Sequence, residues 1–380
     1  MADTSTEGVI TVSPGTELRS RLLGLYGEEG PFLTVYVETP SRFTDADDQL
    51  AIRWRNLRRV AAEQGASDEL LDVAETTIEG NHQGGDGLVV VVDEKAPRLV
   101  VHIADQLTDD VAHVGALPRL APLLDWESSL LPHVVVLTDR VGADVSVVDQ
   151  GELEDSFSIE GETLHIHRSH PGGWSQRRYQ QRAENTWEAN SVAVAEAVAK
   201  AADSCDAAFI AVAGDVRATQ FLTENLPERL QPLVHQVPGG RQPGDALDGT
   251  ADAVIGLQDT IVAERMVALL ETFRDATASG RGVEGVEETM RALSEGRVSH
   301  LLVNDDVSRT NEVRMAWVGD GPMVAPSEEM VTNFGQTPLE VPLVDACIRS
   351  AAAQGADVTV VPYPSAASPV DGIGALVRNQ

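Results

Sequence analysis

HVVVLTDRVGADVSVVDQGELEDSFSIEG, residues 133–161, reads as three short strands in succession: HVVVLTDR, GADVSVVDQG and LEDSFSIEG. Each is rich in Val or alternates apolar with polar residues, the pattern of a half-buried pleated surface. Working outward, the chain continues into a basic stretch and then a helix from about Ser175 to Asp203. A strand, AAFIAVAG, and another helix, TQFLTENLPERL, come after it.

Three antiparallel strands, a long helix and a parallel strand make the order of a ribonuclease H-like sheet. Upstream, helix and strand patterns alternate: TELRSRLLGLYG (helix), FLTVYVET (strand), the basic helix QLAIRWRNLRRVAAEQG, then strands LVVVVDE and RLVVHIA. An α/β sandwich is the simplest reading of that region. PRLAPLLDWESSLLP, with Pro118, Pro122 and Pro132, marks a break, and VPGGRQPGDALDG marks a second between 238 and 260. Beyond it, helices DTIVAERMVALLETFRDATAS and VEETMRALSEG, strand VSHLLVND, a loop, helix VPLVDACIRSAAAQG and strand ADVTVVP suggest a small α/β/α sandwich. The expected organisation is an α/β chain of three domains: 1–130, 131–258 and 259–380.

The 380 residues are 42% hydrophobic and 23% charged, the balance of a folded globular protein. No apolar run approaches the roughly eighteen residues of a membrane span, and the N-terminus lacks a basic and apolar leader. A cytoplasmic location without membrane partner is expected. Cys205 and Cys347, far apart and without neighbouring ligands, read as buried free thiols. The formal charge of -32 repels polyanions at long range, so DNA is not an expected partner and any RNA contact must be local.

Against that charge, HIHRSHPGGWSQRRYQQR, residues 165–182, gathers four arginines and three histidines and no carboxylate. Gly172 and Gly173 permit positive φ and close approach of backbone to another molecule. Trp174, Arg178 and Arg182 recur every four residues along one helical stripe, with Arg177 beside it. Arginine forks suit phosphate oxygens, and the indole can stack on a base. Arginines near a helix start oppose the helix dipole, and in an acidic protein such residues are often only solvated or paired.

His165, His167 and His170 lack the cysteine or HExxH partner of a zinc site, and read better as auxiliary RNA contacts than as metal ligands. Ser175 has no nucleophile elbow around it. Gly84 to Gly87 lacks the Lys-Ser/Thr of a phosphate loop and reads as a hairpin turn, while Gly239 and Gly240 read as linker. Asp139, Asp144 and Asp149 are spaced too irregularly for a two-metal nuclease. No cofactor or metal is expected.

The finger HIHRSHPGGWSQRRYQQRAENTW, the strand GRVSHLLVND and the ending VDACIRSAAAQGADVTVVPYPSAASPVDGIGALVR together resemble bacterial members of the archaeal and eukaryotic release factor 1 and Pelota superfamily. Within it they resemble the actinobacterial branch related to the ribosome hibernation factor Balon. The resemblance implies an N-terminal domain directed at the decoding centre and a ribonuclease H-like middle domain reaching the peptidyl-transferase centre. It implies a C-terminal domain like the kink-turn-binding ribosomal proteins.

Release factors of this family carry a contiguous Gly-Gly-Gln, whose glutamine positions water against the peptidyl-tRNA ester. Here Gly172-Gly173 is separated from Gln176 by Trp174 and Ser175. Two extra residues displace the side chain by several ångströms, which argues against release chemistry. The Asn-Ile-Lys-Ser stop-codon signature is absent too, since Lys95 is the one lysine of the first domain.

The resemblance therefore implies a ribosome-binding factor that occupies the A site, contacting RNA through His165, His167, Arg168, His170, Gly172, Gly173, Trp174, Ser175, Gln176, Arg177, Arg178 and Arg182. Elongation factor Tu is the implied delivery partner. A rescue hydrolase using Gln176 is the alternative. Arg53, Arg55, Arg58 and Arg59, around Trp54, read either as a contact to small-subunit RNA or as a solvated helix face.

Overall fold

The computed structural model describes residues 16–28, 30–39, 46–81, 87–103, 107, 109–139, 142–149, 151–160, 192–241, 247–304, 314–362 and 368–378. These form two compact units, one of Met1–Glu127 with Met266–Gln380 and one of Ser128–Arg265.

In the first unit the Val-rich stretches pair as an antiparallel sheet. Its strands are β1 (Phe32–Glu38), β2 (Gly87–Val92), β3 (Pro97–Ile103) and β4 (Val111–Gly115), ordered β3-β2-β1-β4. All six residues of β2 are buried because both faces of the sheet are covered. Helices α2 (Ala46–Glu63) and α3 (Asp68–Asn81) cover one face, packing Leu50, Trp54, Leu57, Leu71 and Ile78 on Val35, Val90 and Val100. On the other face lie α1 (Thr16–Leu25) and α4 (Ala121–Ser129).

The structure adds three elements to the sequence reading here, α3, β4 and α4. The proline-punctuated stretch contains a helix, α4, because Pro122 sits in its first turn, where the missing N–H has no helical acceptor in any case. Gly87 opens β2, the next described element after α3; Gly84, Gly85 and Asp86, where a hairpin turn was read, lie outside the described residues.

The second unit carries β5 (His133–Thr138), β6 (Gly142–Asp149), β7 (Glu152–Glu160), β8 (Phe209–Gly214) and β9 (Val234–Gln236), ordered β7-β6-β5-β8-β9. β5, β6 and β7 are antiparallel, while β8 runs parallel to β5 and β9 parallel to β8. This is the ribonuclease H-like order. Helix α5, described over 192–204, and α6 (Val216–Asn225) cover one face: Val194, Val198, Ala201 and Leu222 pack on Val134, Val136, Val145, Ile210 and Val212. Asp215 caps α6 by accepting from the N–H groups of Arg217 and Ala218. The start of α7 (Leu247–Ala278) covers the other face, placing Val254 and Ile261 against Phe209 and Ala211.

The later residues of α7 belong to the first unit, where Leu270 and Phe273 pack on Leu302 and Val361. There β10 (Gly282–Glu284), β11 (Val298–Val303), β15 (Asp357–Val360) and β16 (Ile373–Val377) form a sheet ordered β10-β16-β11-β15. Helices α8 (Val286–Ser294) and α10 (Leu343–Ala353) join Met290, Leu293, Ala346 and Ile348 to its core, completing an α/β/α sandwich. The stretch read as a loop before α10 holds a second sheet, β13 (Val324–Ala325), β12 (Met315–Val318) and β14 (Leu339–Pro342), with α9 (Glu328–Asn333) beside it. Strands of two to four residues leave too little alternation to read from sequence.

The N-terminal and C-terminal regions of this unit share one core, with Leu18, Leu22 and Tyr26 in the same cluster as Ala346 and Cys347. Tyr26 donates its hydroxyl to Asp345 Oδ1 at 3.0 Å. Arg19 donates to Glu127 Oε2 at 2.6 Å and to the carbonyl of Val358.

Candidate functional site

The basic stretch marked out by its charge, from His165 through Gly172, Gly173, Trp174 and Gln176 to Arg182, lies outside the described residues. Its two roots are well placed. β7 ends at Glu160, and among the described residues it pairs only to β6, as the edge strand of its sheet. On the far side, α5 sets Val194, Ala195 and Val198 into the core of the same sheet.

Between those roots and the stretch 237–241 lies a charged cluster that the sequence reading dispersed. Arg241 Nε donates to Asp144 Oδ2 at 3.0 Å, and Arg241 Nη1 stands 3.7 Å from Asp139 Oδ1. The Asp144 carboxyl is held below the usual carboxylate range chiefly by Arg241, which with help from the Ser158 hydroxyl outweighs the opposing effect of burial. Asp149 stands at the far end of β6, opposite Glu152. Asp139 and Asp144 thus work as ligands of an arginine. The connector around them is packed: Gly240 is buried, and a Cβ on Gly239 would lie 1.9 Å from Thr250 Oγ1. Gly239 and Gly240, read as linker, are docked in this way on the described fold.

The four arginines of α2 are used unequally. Arg53 pairs with Asp110 at 2.8 Å, Arg58 with Asp72 at 2.9 Å and Glu75 at 2.7 Å, and Arg59 with Glu63 at 2.5 Å. Arg55 is exposed and has no acidic partner among the described residues. Trp54 is 5% exposed, and its indole N–H is buried without an acceptor. A pocket of about 420 Å³ opens here, lined by Leu50, Trp54 and Ile78 with Arg55, Arg58 and Glu79 among its polar residues.

The remaining reactive groups are quiet. Cys347 is fully buried, and burial pushes its thiol up to about 12, so it stays protonated. Cys205 is half-buried, a correction to the expectation of two buried thiols, and burial raises it too. His133 stacks on Phe209 with centroids 4.5 Å apart, and its Nδ1 bonds the Leu131 carbonyl at 2.7 Å. This is a core histidine. Among the described residues no group of three His, Cys, Asp or Glu could hold a metal ion.

Residues 132–279 match the family model described as bacterial archaeo-eukaryotic release factor family 2. The middle of the chain is similar to that family. The matched segment contains the whole basic stretch and both of its roots, together with Arg241. Over 368 residues the chain is 27% identical to the uncharacterized protein Rv2629 of Mycobacterium tuberculosis, covering 94% of this chain and 96% of that protein.

Among solved structures, the archaeal translation termination factor aRF1 is 18% identical, with 97% of this chain and 99% of that chain covered and a TM-score of 0.26. Dom34 of S. cerevisiae, a translation termination-like factor, is 12% identical, covering 83% and 77% at a TM-score of 0.39.

Proposed function

We propose that this protein is a ribosome-binding stress factor that occupies a vacant A site and reaches the peptidyl-transferase centre without releasing peptide. One observation carries the reading: a release-factor family match spans a segment in which four arginines surround the sequence Pro-Gly-Gly in a chain of charge -32. Arg168, Arg177, Arg178 and Arg182 contact phosphates, Trp174 stacks on a base, and Gly172-Gly173 allows close backbone approach. The acidic remainder confines RNA binding to this tip by repelling other polyanions. On α2, Arg55 is the cation left over for small-subunit RNA, because its neighbours are neutralised. Elongation factor Tu is the delivery partner in this reading.

Gln176 decides between occupancy and catalysis. Two residues separate it from Gly173, which moves its carboxamide away from the place where a release loop holds water. The second reading, a peptidyl-tRNA hydrolase, keeps Gln176 as the group that orients that water.

Co-sedimentation of the purified protein with 70S ribosomes tests the first reading. The wild type is expected in the ribosome pellet, with Arg177→Ala/Arg178→Ala weakened and its log-log salt slope smaller by about 2, one unit per lost phosphate contact. A wild type that stays in the supernatant at low salt overturns it. Peptide release from ribosomes carrying peptidyl-tRNA, abolished by Gln176→Ala, would establish the hydrolase instead.

A further inference from the structure

Arg241 sits in the sequence within a Pro- and Gly-rich connector, VPGGRQPGDALDG, where a lone arginine attracts no notice. In the fold its side chain is only 13% exposed and it holds two carboxylates, Asp144 through Nε at 3.0 Å and Asp139 through Nη1 at 3.7 Å. Each carboxylate has a second task. Asp144 stands opposite Ser158 in the β6–β7 ladder and accepts a hydrogen bond from its hydroxyl. Asp139 Oδ1 accepts the N–H of Gly142 at 2.9 Å, closing the β5–β6 turn.

Gly142 completes the arrangement. A Cβ there would lie 1.9 Å from the carbonyl oxygen of Ile159 and 3.2 Å from Arg241 Nη1, so the bare backbone lets β7 and the guanidinium approach the same point. One cation therefore ties the connector, the β5–β6 turn and the last rungs of β7.

Those rungs need support. Among the described residues β7 is bonded on one side only, and the end of an edge strand opens more readily than a strand flanked on both sides. Without the cation, Asp144 would lose the group that does most to hold it ionised, in an already acidic chain. Five residues after Glu160 the basic stretch begins at His165.

We propose that Arg241 is a positioning residue: by fixing the end of β7 it gives the basic stretch a rigid root from which to meet its RNA partner. The inference rests on reading that stretch as the ribosome contact. Arg241 itself touches no RNA in this scheme.

Hydrogen–deuterium exchange on the full chain, comparing wild type with Arg241→Ala and Arg241→Lys, measures the root directly. Amides of Phe157 to Ile159 are expected to exchange about tenfold faster in Arg241→Ala, with β8 unchanged. Arg241→Lys should recover part of the protection, since it restores charge without the fork, and it carries the comparison should the alanine variant fail to fold. Exchange that rises equally in β8, or nowhere, overturns the proposal.

The same proteins sedimented with 70S ribosomes supply the second arm. Binding of Arg241→Ala should weaken several-fold with the salt slope of the wild type, because no phosphate contact is lost. Wild-type-like binding by a variant whose β7 end exchanges fast would overturn the positioning role. A wild type that does not sediment sinks the proposed function, and the exchange arm then judges Arg241 alone.

Discussion

Tyr26 and Asp345 are each 1% exposed and meet across 319 residues of sequence. Burial first, and then the Asp345 charge, raise the phenol well above its ordinary value, so the hydroxyl stays protonated and donates. Removing that donor leaves a buried carboxylate one partner short, and the penalty for an under-satisfied buried acceptor exceeds the mean value of a hydrogen bond. Tyr26→Phe is therefore expected to lower stability by about 1–3 kcal/mol in urea unfolding, although it removes a single oxygen. A loss below the error of the extrapolation would show that the bond contributes nothing net. No local pattern announces this pair. TELRSRLLGLYG reads as an amphipathic helix, and its last aromatic gives no sign of a partner in α10. Arg241 is hidden for the same reason, since Pro and Gly around it describe the backbone and say nothing of where the guanidinium goes.

At the scale of elements, α2 and α3 show what composition can and cannot give. The helix QLAIRWRNLRRVAAEQG is legible from its period, and its basic character invites an RNA reading. What neutralises its Arg58 is α3, missed in the sequence although its signals are present. Ser67 accepts the N–H of Leu70 as a cap, Asp68 and Glu69 occupy the first turn, and Leu70, Leu71, Ala74 and Ile78 form the buried stripe. Arg58 lies between Asp72 and Glu75 of that helix, whereas Arg55 has no acidic partner among the described residues. The two arginines should separate in experiment. Arg58→Ala is expected to lower stability by about 1 kcal/mol, more at low salt than at high, while Arg55→Ala stays within about 0.5 kcal/mol of wild type. Thermal unfolding at two ionic strengths makes the comparison, and equal effects would mean that the pairs of Arg58 are as solvated as an exposed ion pair. By contrast the β5–β6–β7 meander was fully legible, because its strands of six to nine residues carry enough alternation to fix period and face.

Over the whole molecule, 60 carboxylates against 28 basic side chains set a field that acidification relaxes, so the raw pH dependence of stability mixes opposing effects. The histidines can be isolated from it. Burial lowers His133 and His300 below the usual histidine value, and burial followed by the Arg119 charge takes His113 to about 4. A histidine that is harder to protonate when folded favours the folded state only while it is neutral in both states. Its contribution is complete above about pH 6.5 and is lost as pH falls towards 4, since the unfolded chain then binds the extra proton. Asp144 and Asp93 act lower on the scale. Asp144 is lowered mainly by Arg241; for Asp93 burial opposes ionisation, but the N–H groups of Ala96 and Lys95 and the charge of Arg98 outweigh it. Their stabilisation is lost only below about pH 4. Between pH 7 and 5 the histidine effect therefore stands apart. His113→Gln cannot titrate, so the stability difference between wild type and variant should shift in favour of the variant by about 1–2 kcal/mol across that interval. Urea unfolding of both proteins at pH 7, 6 and 5 reads the shift with the common carboxylate background cancelled. A difference that stays flat would mean that the His113 ring meets water when protonated, and that β4 opens locally instead of bearing a buried charge.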